Sequence, residues 1–337
     1  MTKLGTQESA GGAPIPAVNG IIHLLRLDGQ GGATRLSWEE LQGAADFHGT
    51  WVHLDFEDPA VQAWLESRSG LNDIACRALT NPETRPRALA RGRNLLLTLR
   101  GLNAPRVEES EDMVSLRIWT DGSRVISTRR RPLNSTQDVV DDLLAGEGPC
   151  DAAELLVVWC DRTIERMGET LSYLEDEVMD IEARLLADSR DGLRLELAQL
   201  RKRVIAVRRY LAPQREAMNR LVGETLPWLD ELNRLRLREV TDRLIRQIED
   251  LDEVRDRAIL AQEELASRIA EEMNERSYVF TAVAGIFLPL GFLTGLLGIN
   301  VGGMPGVEDG AAFWIVVLLC GALGVGLTLL FRYRRWL

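Results

Sequence analysis

The chain has 337 residues and a formal net charge of −11, from 40 basic and 51 acidic side chains. That balance argues against a nucleic-acid partner, which needs clustered Lys and Arg, and is compatible with attracting cations. Cys76, Cys150, Cys160 and Cys320 are scattered with no CxxC pair and read as free thiols, while the absence of a Walker loop, a dinucleotide fingerprint and a nucleophile elbow leaves no enzyme and no cofactor to argue for.

In chain order, residues 1–16 (MTKLGTQESAGGAPIP) are polar and Gly-rich with no apolar core, so a flexible N-terminus is expected and not a cleaved signal peptide. Residues 17–150 read as an α+β domain, a mixed sheet with helices around it. IIHLLRLD (21–28), WVHLDF (51–56) and NLLLTLRGLN (94–103) are short runs of strand formers. MVSLRIWTDGSRVISTRRR predicts a hairpin, with Asp121 and Gly122 supplying a turn that tolerates positive φ. PAVQAWLESRSG predicts a helix ending at Gly70, and Arg129, Arg130 and Arg131 at the hairpin end read as surface charge.

From residue 151 the period changes. Ile164, Met167, Leu171, Leu174, Val178, Ile181 and Leu185 step by three and four, and Leu197, Leu200, Val204, Val207 and Leu211 repeat the pattern after a break at Asp191 and Gly192. Residues 151–226 are thus an antiparallel helical hairpin. A third helix, beginning near Pro227, carries Leu244, Ile248, Leu251, Ala258, Leu265 and Ile269, with no Gly or Pro between Trp228 and Ala284. Its first part, 227–277, is a stalk, and the whole rod of about 70 residues would measure about 100 Å.

Ser277 to Val307 and Gly310 to Phe331 contain no Asp, Glu, Lys, Arg or His, and each run can cross about 30 Å of hydrocarbon as a helix. The expected spans are 278–299 and 311–331, joined by a loop at 300–310 carrying Glu308 and Asp309 and followed by a basic tail at 332–337. Arg332, Arg334 and Arg335 against a loop with no Lys or Arg place both termini in the cytoplasm and the loop outside the plasma membrane. Two spans touch along one line and leave no lumen, so any water-filled path needs several copies around an axis. Gly291 and Gly295, then Gly298 and Gly302, have the GxxxG spacing that permits close approach of helices, and Pro289 cannot donate to the carbonyl of Gly285. The alternative is a membrane-anchored coiled-coil scaffold or metal sensor.

Gly298-Ile299-Asn300 at the end of the first span, MNERS before it, FLPL inside it and the RYRRWL end together resemble the CorA family of divalent-cation channels, whose signature here is Gly-Met-Asn. Ile299, the loop VGGMPG and the blocks WVHLD, ETRPR, LRGLN, EDMVSLRIW and RVISTRRR resemble its zinc-transporting ZntB branch. The resemblance implies a homopentameric funnel in the lipid bilayer, with the first span lining a pore and the second packed outside. Asn300 would then be one of five carboxamides that hold a hydrated cation through its water, an outer-sphere contact. The implied pore stripe is Asn274, Ser277, Phe280, Ala284, Leu288, Gly291 and Gly295, with Phe280 and Leu288 as candidate hydrophobic gates and Glu308 and Asp309 at the outer entrance.

The family's magnesium channels carry Thr where this chain has Gly291. Zinc sites that bind the bare ion use His and Cys, and neither occurs between Ser277 and Phe313, so zinc would cross largely hydrated, as substrate and not as cofactor. The residues alone therefore leave magnesium, cobalt and nickel open. In the soluble part, His53 and Asp55 share a strand face and could belong to a regulatory metal site, against the alternative of a plain packed strand. Glu263, Glu264, Glu271 and Glu272 would form acidic rings in a pentamer that could attract or sense cations, with Glu271 and Glu272 as candidate regulatory metal ligands, or a solvated face with pairs such as Glu264 to Arg268.

Overall fold

In a computed structural model of the chain, the described residues are 20–43, 47–82, 84–103, 113–187, 192–299 and 310–334. They form two compact units, residues 1–261 and residues 262–337.

The first unit is built on a sheet of β1 (Ile21–Leu27), β2 (Ala33–Arg35), β3 (Thr50–Asp55), β4 (Arg87–Arg91), β5 (Asn94–Gly101), β6 (Val114–Thr120) and β7 (Val125–Arg129), in the order β2-β1-β3-β7-β6-β5-β4. It is mixed, as expected. β3 and β7 pair in parallel with Trp51 opposite Val125 and His53 opposite Ser127, and the other neighbours are antiparallel. The central strands are almost wholly buried, and side chains two apart share a face. Val52, Leu54, Trp119 and Ile126 pack with α1 (Trp38–Gly43), α2 (Pro59–Ser67) and α3 (Asp73–Thr80) through Leu41, Val61, Trp64, Leu65 and Leu79. Trp51 and His53 point the other way, onto Trp159 of α5 (Ala152–Leu186). α4 (Asn134–Ala145) and α6 (Leu193–Gly223) complete that second layer.

The helices begin where their sequence lets them. Asp58 and Asn72 accept from Ala60 N and Ala75 N at the starts of α2 and α3, and Asp151 accepts from Glu154 N at the start of α5. α4 stops at Gly146, whose φ of 81° is open to glycine. The seam residues of α5 and α6 named from the 3–4 spacing are all buried, as are Leu244, Ile248, Leu251, Ala258 and Leu265 of α7 (Glu231–Leu297). Ile269 is exposed. Each fully buried Leu in such a seam stabilises by roughly 2 kcal/mol relative to exposure. Gly168 lets α5 approach α7, since a Cβ there would lie 2.9 Å from Nε2 of Gln247, and that amide donates to Ile164 O at 3.0 Å. Around the seams run Arg–carboxylate pairs: Arg166 on Asp138 at 2.6 and 2.7 Å, Arg257 on Glu182 at 3.0 and 2.6 Å, and Arg203 on Glu177.

α7 starts at Glu231 and not near Pro227. Residues 227–230 instead form a turn in which Leu229 N donates to Leu226 O, the Trp228 indole N–H donates to Arg93 O at 2.7 Å, and Asp230 accepts from Asn233 N. The hairpin turn between β6 and β7 is also longer than a two-residue one. Thr120 pairs with Val125, and Asp121 closes the four-residue loop by accepting from Ser123 N and Arg124 N. At its tip Gly122 has φ +85°, and a Cβ there would meet the Trp228 ring at 2.1 Å.

Gly122→Ala combines a left-handed backbone with that collision, so it should destabilise the first unit by at least about 2 kcal/mol. Denaturant unfolding followed by circular dichroism checks it, and a variant within about 0.5 kcal/mol of the parent contradicts it.

Candidate functional site

The second unit contains the rest of α7 and α8 (Ala312–Tyr333), and both helices are long and apolar enough to cross a membrane. No residue of α8 is buried, and on α7 Phe280 is 76% and Leu288 72% exposed. Side chains of this kind are not left bare in water, because contiguous apolar patches seek lipid or protein.

α7 and α8 meet through glycines. A Cβ on Gly285 would lie 2.9 Å from the Phe331 ring, and one on Gly324 would lie 3.7 Å from Leu290. The α7 residues that lose solvent here are Ala282, the adjacent Gly285 and Ile286, Leu290 and Leu293, which recur about once per helical turn. At about 100° per residue, Asn274, Ser277, Phe280, Ala284, Leu288, Gly291 and Gly295 centre on a line roughly opposite that seam. All seven are exposed, and among the described residues nothing beyond the local helix backbone lies within 4 Å of a Cβ placed on Gly291 or Gly295. Ser277, Phe280 and Ala284 share a shallow concavity with Met273, Arg276 and Thr281. Few polar groups face outward here, because Thr281 and Thr294 donate their hydroxyls back to Ser277 O and Leu290 O of their own helix.

The helix ends as its glycines allow. Gly298 N donates to Thr294 O at 2.9 Å and to Gly295 O at 3.2 Å, which tightens the last turn, and Ile299 follows, half exposed. Asn300, Glu308 and Asp309 lie outside the described residues. Upstream, Glu263, Glu264, Glu271 and Glu272 are all exposed. Arg268 holds Glu264 at 2.6 Å, the pair expected from the spacing, and Arg276 stands 3.8 Å from Glu272.

His53 is fully buried, in the surroundings of the packed strand that the sequence left as the alternative. Its Nδ1 lies 2.8 Å from Ser127 Oγ, which also accepts from the Trp51 indole at 2.8 Å, and its Nε2 has no partner among the described residues. Burial first, then the charge of Arg129 and the neighbouring His23, hold its pKa well below the usual histidine value. Asp55, at the strand end, accepts from Glu57 N. Among the described residues no group of three or more His, Cys, Asp or Glu could hold a metal ion, and all four cysteines are free thiols.

A family model described as "CorA-like Mg2+ transporter protein" matches residues 48–335. The chain is 39% identical over 323 residues to the "Divalent cation transporter CmaX" of Pseudomonas aeruginosa, covering 94% of this chain and 97% of that protein. It is 34% identical over 320 residues to the "Zinc transport protein ZntB" of Yersinia enterocolitica, covering 95% and 97%. Among solved structures it is similar to that of the full-length CmaX protein, with a TM-score of 0.82 at 38% identity over 97% of this chain and 100% of that one.

Two outcomes follow from this geometry. Gly285→Leu should loosen the α7–α8 seam by about 1–3 kcal/mol, whereas Gly291→Leu should leave the chain's own packing untouched; thermal melts of the two variants in detergent compare them. Protonation of His53 is suppressed in the fold and free in the unfolded chain. The stability it contributes is therefore complete above about pH 6.5 and falls as the pH drops below that value. Melting temperature against pH should show that acid-side decline, and His53→Phe should flatten it.

Proposed function

Because the chain belongs to the CorA family, we propose that it carries divalent metal cations, zinc foremost, across the plasma membrane through a pore built from five copies. The observation that carries this reading is the position of the α7 stripe opposite the α8 seam, which leaves one face of α7 free to line an axis while α8 stands outside it. The zinc preference rests on the branch resemblance and on relatives named as zinc transporters; one relative is named more broadly for divalent cations, and magnesium, cobalt or nickel is the second reading. The ion crosses largely hydrated. Gly298, Ile299 and Asn300 form the outer mouth, where Asn300 meets the ion's water, and Leu288 and Phe280 narrow the wall where dewetting can close it. Both termini are cytoplasmic by the basic tail, and no chemical reaction is assigned.

Direction follows from one magnitude. Two charges moving inward through an inside-negative 100 mV gain about 4.6 kcal/mol, twice the single-charge value. Export would need coupling, and the two spans hold no Asp, Glu, Lys, Arg or His to relay a proton.

Purified protein in vesicles should admit zinc faster as an inside-negative potential is imposed, with magnesium measured alongside. Asn300→Ala should abolish the flux while the assembly keeps its size. Zinc flux that ignores the potential and follows an imposed proton gradient overturns the uptake reading.

A further inference from the structure

The first unit contains a concavity of about 540 Å³ whose wall includes Arg100, Arg117, Arg130, Arg131, Tyr210 and Glu57. Arg100 and Arg117 come from β5 and β6, where Arg100 pairs with Ser115 and Thr98 with Arg117, so their side chains are diagonal neighbours on one face. Arg117 is 1% exposed. Its Nε and Nη2 donate to Asn81 O at 3.0 and 2.7 Å, Phe56 lies under its guanidinium at 4.5 Å, and Nη1 has no partner among the described residues. Arg100 donates to Met113 O and Thr84 O, lies over the Tyr210 ring at 4.6 Å, and its Nε likewise has no partner among them.

Backbone carbonyls therefore hold both guanidinium groups in place, but among the described residues neither faces a carboxylate. Among the described residues the wall has one acid, Glu57, which is engaged by Arg130 at 2.7 Å. The four described cations repel one another. Burial, then Arg100 and Arg130, lower Arg117 to about 10, which still leaves it charged at neutral pH. A structural role as a tie to residues 81–82 explains two of its donors and leaves the net charge unexplained.

An anion relieves this arrangement and a metal cation aggravates it. The half-buried Arg100 and the buried Arg117 add positive charge, the exposed forks of Arg130 and Arg131 match phosphate oxygens, and the volume falls within the roughly 300–1,000 Å³ of small-ligand pockets, more than one inorganic phosphate fills. We propose that this cavity binds a small phosphate-bearing anion of the diphosphate or triphosphate class, with Arg100 and Arg117 as its fixed floor and the exposed Arg130 and Arg131 closing over it. This site is independent of the pore reading.

The test is calorimetric titration of the full-length protein in detergent, with chelator present, using inorganic phosphate, pyrophosphate, ATP and adenosine. Pyrophosphate and ATP should bind, phosphate more weakly and adenosine not at all; pyrophosphate against ATP tells whether the phosphates suffice. Arg131→Glu, which removes no internal hydrogen bond, should weaken ATP at least about tenfold with the circular dichroism unchanged. Arg194→Glu, on α6 away from the cavity wall, should leave it unaltered. The proposal fails if adenosine binds as well as ATP, if Arg131→Glu and Arg117→Lys both stay within about twofold of the parent, or if no phosphate compound binds at millimolar concentration.

Discussion

A pair of helices can bury only the line along which they touch, and this constraint governs the second unit. α7 and α8 touch along one seam that includes Gly285 under Phe331 and Gly324 beside Leu290. Every other apolar side chain of the two helices is left for a different surface to cover. Lipid accounts for the outer faces of an apolar hairpin, but a lipid-covered face needs no succession of small residues such as Ser277, Ala284, Gly291 and Gly295. The face opposite the seam is therefore the informative one, and the proposed ring of copies is the arrangement in which it faces water and other helices together.

The first unit solves the converse problem, since its long helices are polar on most of their surface and hold together through narrow apolar seams. Leu174, Val178, Ile181, Leu200, Val204, Leu244 and Leu251 supply the burial. The arginines that flank them contribute less energy, because part-exposed pairs are worth about 0–1 kcal/mol each. Their value lies in register: a bidentate pair such as Arg257 with Glu182 or Arg166 with Asp138 is satisfied in one alignment of the helices and lost if either slides by a turn.

What the sequence disclosed follows from how each signal is physically encoded. The seams were legible because a 3–4 spacing sustained over several turns has no other good explanation, and the spans because charge is absent over a membrane's width. The short edge strands β2 and β4 were not, since three residues ATR and the Arg-flanked RALAR carry no alternation strong enough to separate them from loop. Pro227 and Trp228 misled the start of α7, because a Pro before a helical pattern reads as its first turn while tertiary docking of the indole draws those residues out. The hairpin-end arginines read as surface charge, and Arg130 and Arg131 are indeed exposed; what spacing could not reveal is that Arg100 and Arg117, on other strands, meet them. His53 was visible as a polar residue in a strand, but only the surrounding Trp51, Trp159 and Ser127 show why it is there.

Trp228 seated on Gly122 has a consequence for chain length. The indole is fixed at both ends, its ring by the glycine and its N–H by Arg93 O, while Asp230 two residues later caps α7. The connection from the end of α6 to that cap spans seven residues, 224–230, and one residue more or fewer would rotate α7 by roughly 100° against α5 and α6. This connection is therefore a spacer whose count is locked to the rotational phase of the helix it introduces.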